Sequence, residues 1–104
     1  MSSAANITFE PGTVGVPAEE WQAFCREHRL EHSPLTVGGS VYYQGGHDGV
    51  EVTYHEHTLR FSTYWFGNAM RDVARLAKIA WRRWGGQLSA DPEIRKLMIK
   101  EDAP

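Results

Sequence analysis

The stretch NAMRDVARLAKIAWRRW, Asn68 to Trp84, decides the fold. Met70, Val73, Ala74, Ala77, Ala80, Trp81 and Trp84 recur at helical spacing, which predicts one amphipathic helix with that stripe buried. Arg71, Arg75, Lys78 and Arg82 form a second stripe, spaced four, three and four apart, predicted to meet solvent or an acidic partner. Ile79 projects away from the buried stripe, beside Leu76 and the basic row. An isoleucine exposed among arginines suits a protein contact; the alternative is that the last helix or the N-terminus covers it. Asn68 suits the N-cap, Gly85-Gly86 suits the end, and Arg82 and Arg83 complement the negative end of the helix dipole.

Upstream lie three strand-like runs. Val41 to Gln44 is rich in strand formers. Val50 to His55 alternates Val50, Val52 and Tyr54 against Glu51, Thr53 and His55. Thr58 to Trp65 alternates Leu59, Phe61 and Trp65 against Thr58, Arg60, Ser62 and Tyr64. Gly45 to Gly49 is a turn cluster, and its Asp48-Gly49 pair is a strong hairpin signal. A tight turn at Glu56-His57 would set Tyr54 opposite Leu59 and Val52 opposite Phe61, with Glu51 diagonal to Arg60 for a weak ion pair. The apolar sheet face is then Val41, Tyr43, Val50, Val52, Tyr54, Leu59, Phe61 and Trp65. The other face shows Tyr42, Gln44, Glu51, Thr53, His55, Arg60, Ser62 and Tyr64. If left uncovered it is a mixed aromatic and polar surface suited to binding; the first helix could equally lie over part of it.

That first helix is predicted from about Ala18 to Arg29, with Pro17 in its first turn, Glu19 and Glu20 near its positive end, and Trp21, Phe24, Cys25 and His28 on one face. Ser33-Pro34 is expected to end it. Asp91-Pro92-Glu93 starts a short last helix whose greasy side is Ile94, Leu97 and Met98. Short strands are open at Ile7–Phe9 and at Gln87–Ala90. Residues 1–104 thus predict a single α+β domain of order (β)αβββα(β)α: a three- to four-stranded antiparallel meander carrying one long helix, with 1–6 and 101–104 as flexible tails. The αβββα core order is similar to that of double-stranded RNA-binding domains in topology alone. That family carries a lysine pair where this chain has Gly67-Asn68-Ala69-Met70, so none of its residues transfers.

With 104 residues, 41% of them hydrophobic, the chain can build an ordered core without staples. The single cysteine, Cys25, excludes an internal disulfide and fits a reducing compartment. The N-terminus has no signal-peptide pattern, and no segment nears the roughly 20 apolar residues that span a bilayer. These features point to the cytoplasm and away from membranes. The net charge of -2 is unevenly placed: Met1 to Glu56 holds eight acidic and two basic residues, and His57 to Lys100 nine basic and three acidic. Either the halves attract each other in the fold, or one acidic and one basic face steer a charged partner.

Chemistry is sparse. His47, His55 and His57 lie close together, with Asp48 or Glu51 as the nearby carboxylates, but zinc wants four ligands and His57 sits in a turn that breaks the alternation. Whether that cluster holds a metal stays open. Cys25 and His28 can meet on a helix, yet no glycine-rich elbow or oxyanion donor pair accompanies them. No phosphate-cradling loop or dinucleotide fingerprint occurs. The expectation is therefore a non-catalytic, cofactor-free protein, monomeric or homodimeric. It would bind an acidic protein surface and occlude it, as inhibitors, immunity proteins and accessory factors do, including those of phage and mobile elements. The candidate contact residues are Arg71, Arg75, Lys78, Ile79 and Arg82 on the helix, or Tyr42, Arg60 and Tyr64 on the sheet. Nucleic-acid binding is the alternative: the basic stripe spans roughly 16 Å at the helical rise, and Tyr42 and Tyr64 could stack on bases.

Overall fold

A computed structural model describes residues 3–13, 15–37, 40–55, 57–64 and 67–101. The elements run β1 (Ser3–Thr8), α1 (Ala18–Glu27), β2 (Glu31–Val37), β3 (Ser40–His47), β4 (Val50–His55), β5 (Thr58–Thr63), α2 (Asn68–Trp84), β6 (Gln87–Ala90) and α3 (Pro92–Glu101). All six strands form one antiparallel sheet in the order β2-β3-β4-β5-β1-β6. The α+β class matches the expectation, but the sheet is wider than a three- or four-stranded meander, and the αβββα order is not kept.

The difference arises at three places. Residues 3–6, expected as a tail, open β1, where Ala4 and Ala5 are buried because β5 pairs on one side and β6 on the other. β2 occupies the segment where Ser33-Pro34 was expected only to stop a helix. It is an edge strand, where one side carries no ladder bonds and a proline is tolerated. Gly45 and Gly46, expected in a turn, lie inside β3. A Cβ on Gly45 would collide with the carbonyl oxygen of Glu31, so the β2–β3 approach itself requires glycine there.

The turn narrows to Asp48-Gly49, both at positive φ (51° and 85°), a two-residue type I′ hairpin that matches strand twist. The β4–β5 register is the expected one, with Tyr54 opposite Leu59 and Val52 opposite Phe61. Glu51 is diagonal to Arg60, but Arg60 donates to Asn6 Oδ1 at 3.2 Å on β1. Glu56 of the proposed turn, Trp65, and the side chains of Val41 and Tyr42 lie outside the described residues.

Helix α1 stops at Glu27, earlier than expected, and Pro17 is its N-cap. Arg29 takes φ 59°, its N–H bonds Arg26 O, and Leu30 N–H bonds Cys25 O at 2.7 Å. This is a Schellman motif with arginine at the left-handed position, closed by buried Leu30 against buried Cys25. Helix α2 spans the expected residues, with Gly67 rather than Asn68 at the N-cap position and no side-chain cap. Gly85 closes it at φ 74°.

The helices gather on one face of the sheet. Trp21 of α1 packs on Phe61 (centroids 6.0 Å) and Trp84 (6.4 Å), so α1 shares the side of α2 and does not cover the opposite face. Ile94 and Met98 of α3 join the same core, with Ile7, Leu59, Phe61, Val52 and Val73. Among the described residues no helix lies on the other face, which presents Asn6, Glu51, Thr53, His55 and Arg60. A one-sided antiparallel sheet of this kind alternates apolar and polar residues as these strands do.

Candidate functional site

Three helices on one face leave α2 with two flanks. On one, Trp84 meets Trp21 and Phe24 of α1 and donates its indole N–H to Glu20 Oε2 at 3.2 Å. Arg83 seals that seam. Its guanidinium pairs with Glu27 at 3.1 Å and lies 5.6 Å from the ring centres of both Phe24 and Trp84.

The other flank is open. A groove of about 470 Å³ runs between the end of α2, strand β6 and helix α3, lined by Lys78, Trp81, Leu88, Arg95, Met98 and Ile99, with Gly86 and Gln87 at one end. Trp81 is 41% exposed and Ile99 67% exposed, two of the three large hydrophobic residues left at the surface among those described. The Trp81 indole N–H is held by Gly86 O at 3.1 Å, which fixes the ring over the groove. Among the described residues no carboxylate lines it. A second depression of about 540 Å³ around Thr8, Phe9, Glu10 and Pro11 shares Gly86 and Gln87 with it.

This geometry corrects the stripes expected on α2. Trp81, expected in the core, stands at the surface. Lys78, expected in solvent, is only 8% exposed, because α3 packs over it and its ammonium donates to Met98 O at 2.6 Å. Met98 O belongs to the last turn of α3, whose carbonyls have no partner within the helix, so a lysine suits that end. Leu76 is buried, and Ile79 is half-buried against the core rather than projecting freely. Arg71, Arg75 and Arg82 remain exposed on α2, with Arg75 3.6 Å from Asp72. Arg60 and the exposed Tyr64 lie away from that row, at the sheet. The candidate residues are thus not gathered at one place. Arg95, Leu88, Met98 and Ile99, which line the groove, are not among the contact residues expected from sequence. The readable signal was Ile99, an apolar residue off the Ile94–Leu97–Met98 side of its helix.

Burial pushes the Cys25 thiol up to about 12, with Arg26 opposing weakly, so the sulfur stays protonated and is a poor nucleophile. His28 packs against Phe24, the rings tilted by 53° with centres 4.5 Å apart, instead of serving as a base for Cys25. Burial holds this imidazole below its ordinary value, partly offset by Glu27 and reinforced by Arg75 and Arg83. Tyr54 donates to Val16 O, and burial raises its hydroxyl pKa, with Tyr43 adding to the effect. His47 pairs with Asp48 at 3.1 Å at one end of β4, and His55 sits at the other. Among the described residues no three His, Cys, Asp or Glu side chains are placed to share a metal ion. Nor is any helix among them long and apolar enough to cross a membrane. No protein-family model, curated protein or solved structure matches this chain.

Proposed function

We propose that this chain is a small non-catalytic protein-binding domain, of the inhibitor, immunity or accessory kind, that occludes an acidic surface of its partner. The observation that carries this reading is the groove beside α2. Trp81 and Ile99 are exposed there together, Arg95 is basic, and no acid lines it among the described residues. Aromatic residues and arginine are the side chains that most often anchor protein interfaces. Arg82, next to Trp81, and Arg75 one side over extend the positive surface along α2. The contact surface expected from sequence therefore moves toward α3.

Nucleic-acid binding has less support. The stripe it would use loses Lys78 to Met98 O, and Arg75 has Asp72 beside it. It predicts binding that weakens steeply with salt. The test is parallel affinity capture from the native host with the wild type, Trp81→Ala and Arg75→Glu/Arg82→Glu, read by quantitative mass spectrometry. A partner lost with Trp81→Ala supports the groove, and one lost also with the arginine reversals extends the contact along α2. A partner set unchanged by all these variants overturns the proposal.

A further inference from the structure

Among the described residues strand β6 ends the sheet, and the groove opens beside it. Asp91 N–H bonds Ala4 O at 3.0 Å, and Ala4 N–H bonds Asp91 Oδ2 at 2.8 Å, so Ala4 and Asp91 form a hydrogen-bonded pair at the end of the β1–β6 ladder. Hydrogen-bonded and non-bonded pairs alternate along an antiparallel ladder. Ser89 and Gln87, opposite Asn6 and Thr8, then bond back to β1. Leu88 and Ala90, opposite Ile7 and Ala5, turn their N–H and C=O groups toward the free edge. An unpaired edge next to an apolar groove is the arrangement that accepts an added strand, where backbone bonds give affinity and alternate side chains enter the groove.

We infer that β6 takes up an extended segment of the partner as a seventh strand. Every second side chain of the segment enters the groove, apolar where it rests on Trp81, Leu88 and Ile99 and aspartate or glutamate where it meets Arg95. This deepens the protein-binding reading and rests on it. Charge decides the occupant. Among the described residues the groove lining holds Arg95 and no acid, and Lys78 is already engaged by Met98 O, so a second copy paired edge to edge by a two-fold axis would bring one Arg95 toward the other. An acidic segment meets complementary charge.

The test is a selection of random 12-residue peptides displayed on phage and panned on the full chain. Recovered sequences are then measured as synthetic peptides on the wild type, Trp81→Ala and Ala90→Pro. A proline at position 90 removes an edge N–H without removing a ladder bond. Strand addition predicts sequences in which apolar and acidic residues recur at every second position, and whose binding weakens about tenfold or more on Ala90→Pro. It also predicts slowed amide exchange at Leu88 and Ala90 of the wild type when such a peptide is bound, a readout that does not depend on how well Ala90→Pro folds. Sequences with apolar residues three and four apart, lost on Trp81→Ala but leaving the exchange of Leu88 and Ala90 unchanged, would overturn strand addition and keep the groove as a binding surface. No enrichment, or binding indifferent to Trp81→Ala, overturns both.

Discussion

Trp81 and Trp84 stand less than one turn apart on the same helix, yet they meet different surroundings. Trp84 is packed among Trp21, Phe24 and the Arg83 guanidinium, on a flank closed by the Arg83–Glu27 pair. Trp81 looks into a groove that its neighbours line without filling. Residue type does not separate the two, nor does local sequence. What separates them is the element beside each: α1 brings a large aromatic surface, whereas α3 brings Met98, Arg95 and Ile99. The closed flank holds the molecule together, and the open one is available to something else.

This contrast can be broken most directly by truncating one aromatic on each flank. Trp21→Ala should cost about 3–5 kcal/mol, because the side chain is fully buried and its cavity cannot collapse against α2. Trp81→Ala should cost about 1 kcal/mol or less, since much of the ring is already in water. Urea unfolding of both variants gives the comparison directly, and equal losses would mean the open flank is structural too. The next largest effect lies where α3 touches α2. Lys78→Ala removes a charge-assisted bond to Met98 O and should cost about 2 kcal/mol, with faster amide exchange in the last turn of α3. If α3 exchanges as before, the lysine is not what fastens it.

A smaller effect of opposite sign is expected at the end of α1. Arg29→Gly relieves the left-handed conformation at the Schellman position and should stabilise by about 1 kcal/mol, read as a higher melting temperature. The smallest effect concerns pH. His28 is held below its ordinary pKa in the fold, so below about pH 6.5 the unfolded chain takes up a proton that the folded one resists. Stability should therefore fall as pH drops through that value, until the folded-state pKa is reached. His28→Gln should flatten that part of a urea-midpoint series, and an unaltered slope would place the titration elsewhere.

Local rules made much of this fold readable. Period-two alternation in Val50–His55 and Thr58–Thr63 admits one register, because a slip by one residue would turn Val52 or Phe61 to water. Glycines at 67 and 85 bracket α2, and Asp48-Gly49 is a turn by its own backbone preferences. Strand β2 was hidden because Pro34 reads as a breaker until an edge position makes its missing N–H harmless. Gly45 and Gly46 read as loop because the reason for glycine, the carbonyls of Glu31 and Val50, lies on other strands. The exchange of roles between Lys78 and Trp81 was out of reach for the same reason. Helical spacing says which residues share a face, but where α3 lands decides which of them is covered. The candidate site, built from α2, β6 and α3, is the part of the molecule that depends most on such distant contacts.

The position of β1 has a consequence for how the chain is made. β2 through β5 join by hairpins between sequence neighbours, so they can assemble as synthesis proceeds. β1 is translated first, yet both its ladder partners arrive late: Ile7 pairs with Leu59 and Leu88. Contacts so far apart in sequence close slowly. The strand translated earliest of the six is therefore placed only after β2 to β5, and a nascent chain halted before β6 must carry it with one edge unmatched.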